Sequence, residues 1–138
     1  MVRRILQGLL AVALATAGLT VAVQSPAMAV GGCSTNNVTV SSCVNYGSHG
    51  HGRARADFYL NRRPDSSIQR YVVYLVFNGH YAEVGRGNFA STGHHCCWYR
   101  TLDNLPNTYN SAKTVVSIFT RSGDLHMSVS SPTINFWS

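Results

Sequence analysis

The residues best suited to chemistry form a short row in which His49, His51, Arg53 and Arg55 alternate with small residues. Alternate residues of a β-strand project from one face about 6 to 7 Å apart, so these side chains form a ladder that Tyr59 continues. The ladder predicts a cationic strand face that binds an anionic polymer, a cell-wall or envelope surface, or an extracellular protein. An ordinary solvated strand face is the plainer interpretation.

Two neighbouring aromatic residues, Trp98 and Tyr99, are further candidates for ligand binding. Flat rings beside loops stack on sugars or anchor a protein partner. For Trp98, packing beside the neighbouring cysteines is the alternative. The sequence-predicted binding residues are therefore His49, His51, Arg53, Arg55, Tyr59, Trp98 and Tyr99.

The histidines also raise the question of a metal site. His49 and His51 share a strand face and are spaced to hold one ion, and the run from His94 to Cys97 is a second source of ligands. That run has no recognised ligand spacing, and adjacent strand residues point to opposite faces. A metal-binding protein stays an alternative hypothesis, and no cofactor is predicted.

All four cysteines (Cys33, Cys43, Cys96 and Cys97) follow the N-terminal segment, which predicts two disulfides in an exported protein. Cys96 and Cys97 are adjacent, with Cα atoms about 3.8 Å apart across a trans peptide, closer than most disulfides require. We therefore expect Cys33 and Cys43 each to pair with one of Cys96 and Cys97.

The N-terminus has the pattern of a cleaved signal peptide. Arg3 and Arg4 precede an apolar stretch at residues 9–23, and Ala27 and Ala29 are the small residues that a signal peptidase reads. Cleavage after Ala29 leaves residues 30–138 as one secreted domain with nine basic and five acidic side chains, a net charge of +4. No second apolar stretch approaches the ~18 residues of a membrane span. The predicted location is extracellular.

Catalytic residues are hard to find in this composition. The five carboxylates form no evident pair for glycoside hydrolysis, and the chain lacks a Gly-x-Ser-x-Gly elbow. A ribonuclease-like set of His80, Glu83 and Arg86 fails on strand parity, which places His80 and Arg86 on one face and Glu83 on the other. The sequence therefore favours a binding protein over an enzyme.

Short alternating segments and turn dipeptides predict the elements that position these residues. We expect an all-β fold, a small antiparallel β-sandwich of about seven to eight strands that is stapled by two disulfides. Residues 70–77 are apolar on both faces, which predicts a central strand, and Asn78-Gly79 predicts a tight hairpin.

A second hairpin is predicted around Ser122-Gly123. On its return strand, Leu125, Met127 and Val129 are expected to face the core and His126 to face outwards. Residues 133–137 follow a proline and are predicted to form an edge strand.

The functional prediction is a secreted, non-catalytic binding module with the cationic strand as its contact surface. Three other functions remain open: an antimicrobial or toxin-like protein acting on cell envelopes, an extracellular metal-binding protein, and a small secreted hydrolase or nuclease.

Overall fold

The computed structural model describes residues 30–35, 37, 39–47, 52–62, 65–102 and 108–137. Within these residues the chain forms nine strands and no helix. The strands are β1 Val30–Cys33, β2 Val40–Tyr46, β3 Arg53–Leu60, β4 Ile68–Phe77, β5 His80–Asn88, β6 Gly93–Thr101, β7 Tyr109–Thr120, β8 Leu125–Ser130 and β9 Ile134–Trp137.

The strands form two sheets in which every described pairing is antiparallel. The four-stranded sheet has the order β1-β2-β3-β6. The five-stranded sheet has the order β5-β4-β7-β8, and β9 pairs with the first part of β7. The predicted all-β, two-sheet architecture is confirmed. The strand count is one higher than expected because residues 30–33 add β1 alongside β2.

The core lies between the two sheets, and alternation along β3 shows how the sequence builds it. Ala54, Ala56, Phe58 and Leu60 are at most 1% exposed and belong to one hydrophobic cluster with residues of the other sheet. Their neighbours in the strand point to the opposite side, because successive side chains of a strand alternate. The same strand therefore contributes to the core and to an outer face.

Strand β4 is central, as its apolar sequence predicted, since it lies between β5 and β7. Val73 and Leu75 are fully buried against the other sheet. The tight turn that follows is also confirmed, because Asn78 and Gly79 have φ values of 46° and 83°. Two successive positive φ angles are the requirement of the type I′ hairpin turn.

The second hairpin is present, but one of its predicted core residues is on the surface. Val129 is buried and Met127 is half-buried, whereas Leu125 is 59% exposed, so its predicted inward orientation is wrong. The pairing of β7 with β8 shifts between Ile118 and Phe119, where the strand partners pass from Met127 directly to Leu125. This irregularity interrupts the alternation that the prediction assumed.

The predicted disulfide pairing is wrong. The bonds join Cys33 to Cys43 and Cys96 to Cys97. Cys33 and Cys43 are direct partners in the β1–β2 ladder, and their Cα atoms are 4.0 Å apart. Strand β3 lies between β2 and β6. Strands two apart are separated by about 10 Å, beyond the reach of a disulfide, so topology excludes the pairing expected from the sequence.

Two glycines of β5 leave room for large aromatic rings, one on the facing strand β6 and one on the neighbouring strand β4. A Cβ atom on Gly85 would overlap the indole ring of Trp98, and one on Gly87 would lie 2.6 Å from the Tyr71 hydroxyl oxygen. Trp98 and Tyr71 pack with their ring centroids 6.0 Å apart. Burial raises the pKa of the Tyr71 phenol above its ordinary value. The glycines thus leave space for the two rings at this edge of the core.

The signal peptide predicted for residues 1–29 lies outside the described residues. The described part of the chain contains no helix long and apolar enough to cross a membrane.

A tryptic digest without reductant tests the disulfide pairing. The peptide ending at Arg53 contains both Cys33 and Cys43, and the peptide of residues 87–100 contains both Cys96 and Cys97. We expect two unlinked peptides, each two hydrogens lighter than its reduced form, in mass spectrometry. A single cross-linked species would contradict the pairing described above.

Substitution of Gly85→Ala tests the close approach of the sheets. We expect a loss of about 1–3 kcal/mol in the free energy of unfolding, measured by urea denaturation, because the added methyl group overpacks the contact with Trp98. Gly32→Ala is the control, since its Cβ would lie 3.6 Å from Pro132, an ordinary contact. Equal losses in the two variants would rule out a special role for Gly85.

Candidate binding face

The outer surface of the four-stranded sheet collects most of the candidate residues. Arg53, Arg55, Asp57 and Tyr59 alternate on β3 with its buried residues. In the adjacent strand β6, Tyr99 is paired with Arg55 and His94 is paired with Tyr59. Paired residues project from the same side of a sheet. We call the surface formed by Arg53, Arg55, Asp57, Tyr59, His94 and Tyr99 the β3–β6 face.

Asp57 is the buried centre of the β3–β6 face, with 3% of its surface exposed. Its Oδ2 atom lies 3.2 Å from Nη2 of Arg55 and 2.9 Å from Nε2 of His94. A charged group so deeply buried is tolerated when it is paired and hydrogen-bonded. Within the described residues, Oδ1 of Asp57 has no hydrogen-bond partner.

The position of Asp57 in the sheet explains its burial. Its partner on β2 is Cys43, which is buried and bonded to Cys33. On the other side, the pairing of β3 with β6 shifts between Ala56 and Phe58, opposite the bonded pair Cys96–Cys97. Asp57 therefore has a disulfide on each side. The Cys33–Cys43 bond joins β2 to β1 on one side, and the Cys96–Cys97 bond lies in the irregular part of β6 on the other.

The face keeps positive charge at its edge. Asp57 neutralises Arg55, whose side chain is 25% exposed. Arg53 has no carboxylate partner among the residues that the structure describes. Its guanidinium lies over the Tyr99 ring, 5.7 Å from the ring centroid, a distance at which a cation is attracted to an aromatic face. Arg53 is thus the arginine of this face that is best placed to meet an anion.

Two tyrosines give the face flat, accessible rings. Tyr59 and Tyr99 are each 41% exposed. The Tyr59 ring stacks on His94 with centroids 4.4 Å apart and an interplanar angle of 12°. Because His94 is itself held by Asp57, this stack fixes the orientation of the Tyr59 ring. The arrangement suits contact with extended, flat or charged groups rather than enclosure of a small molecule.

The structure assembles part of the predicted binding set. Arg53, Arg55, Tyr59 and Tyr99 share the β3–β6 face, whereas His49 and His51 lie outside the described residues. Trp98 is paired with Ala56 and points into the protein, where its ring stacks with Phe58 at a centroid distance of 5.9 Å. Trp98 is therefore not part of the β3–β6 face.

Two residues of the face, Asp57 and His94, were not among the predicted binding residues. Asp57 occupies the outward position between Arg55 and Tyr59, so strand parity alone placed it on the ladder. His94 belongs to the face only because the pairing of β3 with β6 places it beside Tyr59. The sequence around His94 contains no signal for that pairing.

The second group of predicted metal ligands, from His94 to Cys97, does not come together around one point, and the first group, His49 and His51, lies outside the described residues. His94 faces outwards to Asp57, whereas His95 stacks on the core residue Phe58 with centroids 4.7 Å apart. The neighbouring cysteines are bonded to each other. Among the described residues, no group of three histidine, cysteine, aspartate or glutamate side chains is placed to hold a metal ion.

The parity argument about Glu83 and Arg86 is wrong. The Arg86 guanidinium forms two hydrogen bonds with the Glu83 carboxylate, including one of 2.8 Å from Nη2 to Oε2. The pairing of β4 with β5 shifts between Val73 and Tyr74, where Val84 is the additional residue on β5. This bulge brings Glu83 and Arg86 to the same face. The pair is exposed, and the two charges neutralise each other.

Substitution of Asp57 tests its role in organising the face. Asp57→Ala leaves Arg55 and His94 without their shared acceptor, and loss of a hydrogen bond to a charged group costs about 1.5–3 kcal/mol of the free energy of unfolding. Urea denaturation measures this loss. Asp124→Ala is the control, because Asp124 is exposed in a turn. A loss no larger than that of the control would contradict the central role of Asp57.

The chain matches no known family model, no curated protein and no solved structure at a significant level.

Proposed function

We propose that this protein is exported and binds an anionic polymer of the cell envelope or its surroundings through the β3–β6 face. The proposal takes residues 1–29 as a cleaved signal peptide and residues 30–138 as a single secreted binding domain. Its disulfides are of the kind that persists in oxidising compartments outside the cytosol.

One observation carries the proposal: the register of β3 and β6 brings two arginines, a histidine and two exposed tyrosines onto one surface. Arginine contributes charge and planar donors to an anionic group, and tyrosine contributes contact area at a low cost in side-chain entropy. Both sheet backbone and ring stacking hold these side chains before a ligand arrives, which reduces the entropy lost on binding.

The buried carboxylate of Asp57 affects which ligands the β3–β6 face is expected to bind. Because Asp57 compensates Arg55, the face is less cationic than its arginine count indicates. Binding should therefore depend on Arg53 and on the tyrosine rings together, rather than on charge alone. A polymer that offers anionic groups beside flat or apolar segments meets both requirements.

Retention on immobilised long-chain polyphosphate tests the cationic part of the β3–β6 face. We expect Arg53→Glu to weaken binding about tenfold at low salt, because it reverses the least compensated charge of the face. Arg121→Glu is the matched control, since it makes the same change at an exposed turn outside the face. Arg55→Glu is less suitable because it also removes the partner of Asp57.

Two results would overturn the proposal. If Arg53→Glu and Arg121→Glu weaken retention equally, the polymer is bound through the net charge of the protein rather than through the β3–β6 face. No retention of the unaltered protein either on polyphosphate or on polystyrene sulfonate, whose anionic groups lie on flat rings, would contradict the proposed function. Dye release from anionic phospholipid vesicles, without retention on polyphosphate, would instead favour a membrane-active protein.

A further inference from the structure

A second candidate site lies at one end of the sandwich and is lined by residues that are not part of the β3–β6 face. It is a cleft of about 320 Å³ between the segment that leads into β4, the end of β5 and the turn between β7 and β8. This volume lies near the lower end of the range for small-molecule sites. The cleft shares no lining residue with the β3–β6 face, so the two surfaces can be tested separately.

Part of the cleft lining is apolar. Ile68 contributes aliphatic surface and Phe89 contributes an aromatic ring, whereas Leu60 is only 1% exposed and adds little. Phe89 is half-buried and packs on the core, with its ring centroid 5.2 Å from that of Tyr71. The ring is therefore held in place while part of it borders the cleft.

Hydrogen bonds within the protein fix the walls. Asp65 Oδ1 accepts a bond of 2.9 Å from the Ser67 backbone N–H, and Ser67 in turn accepts one of 2.7 Å from the Arg121 backbone N–H. On the opposite side, the Phe89 backbone N–H donates to the Gln69 carbonyl oxygen over 2.9 Å. The three segments are therefore joined to one another, and the cleft is preformed.

The polar groups at the walls combine both charges with neutral amides. The hydrogen bond from the Ser67 backbone N–H, with a smaller contribution from the Ser66 hydroxyl, lowers the pKa of the Asp65 carboxyl, which is ionised at neutral pH. Arg121 supplies a guanidinium, and Gln69 and Asn88 supply side-chain amides. Within the described residues, Arg121 has no carboxylate within ion-pair distance.

A cleft with a carboxylate, a guanidinium and two amides favours a ligand that carries several hydroxyl groups. A lone anion would meet the Asp65 carboxylate, and a divalent cation would find a single carboxylate opposed by Arg121. Hydroxyl groups both donate and accept hydrogen bonds, so they satisfy a carboxylate, a guanidinium and two amides at once. A sugar ring also has an apolar face that stacks on an aromatic ring such as Phe89.

We propose that this cleft binds a neutral mono- or disaccharide, with Phe89 beneath the sugar ring and Asp65, Gln69, Asn88 and Arg121 bound to its hydroxyl groups. This function goes beyond polyanion binding at the β3–β6 face. The protein then has two contact surfaces, one for charged polymer and one for an uncharged sugar unit.

Two-dimensional amide NMR of the purified protein tests the proposal by titration with cellobiose, maltose and di-N-acetylchitobiose. We expect at least one of the three to shift the amide signals of the cleft residues in a saturable manner. Gln69→Ala and Asn88→Ala should each weaken that binding about fivefold, because each removes side-chain hydrogen bonds. Both residues are exposed, so the variants should keep the spectrum of the folded protein.

The controls separate this site from the proposed polyanion site. Arg53→Glu should leave saccharide binding unchanged, and Gln69→Ala should leave polyphosphate retention unchanged. The inference is overturned if none of the three sugars shifts the cleft signals, if both amide variants bind as well as the unaltered protein, or if sulfate or glycine binds the cleft more tightly than any of the sugars.

Discussion

The alternation of side chains along β3 is the constraint on which the core and the candidate site both depend. Its inward residues, from Ala54 to Leu60, are completely or almost completely buried, and its outward residues carry the charges and the tyrosine of the β3–β6 face. Because one backbone sets both rows, the outer side chains are positioned by the packing of the core. A shift of one residue in the pairing of β3 would exchange the two rows.

The buried carboxylate of Asp57 orients the neighbouring side chains of the β3–β6 face. Arg55 and His94 converge on the same oxygen atom, and Tyr59 stacks on His94. Three side chains from two strands are thus oriented by one acceptor. The cost of burying a charge is offset by its pairing with Arg55 and by the hydrogen bond with His94. The same pairing limits the net positive charge of the face and makes Arg53 its principal free cation.

Irregular strand pairing occurs in both sheets, at strands that lie on a sheet edge. The pairing of β3 with β6 shifts opposite the bonded Cys96–Cys97 pair, and this pair lies in an edge strand of its sheet. Strand β5, the edge of the other sheet, has a bulge at Val84 and glycines that leave room for Trp98 and Tyr71. Interrupted edges are poor templates for pairing with a second chain. The irregularities also redirect individual side chains, as the pairing of Glu83 with Arg86 shows.

The sequence by itself determined the local features of this protein. Period-two alternation identified β3, an apolar run identified β4 as a central strand, and Asn78-Gly79 identified a hairpin turn, because each depends on residues adjacent in the chain. The arginines and tyrosines of the face could be proposed for the same reason. Only the tertiary structure decided how the strands are ordered and where their pairing shifts. The strand order puts β3 between the two cysteine pairs, and the pairing of β3 with β6 allows His94 to contact Asp57. The shift in the pairing of β7 with β8 leaves Leu125 on the surface. Local sequence carries no direct signal for such relations, since they depend on the packing of both sheets around one core.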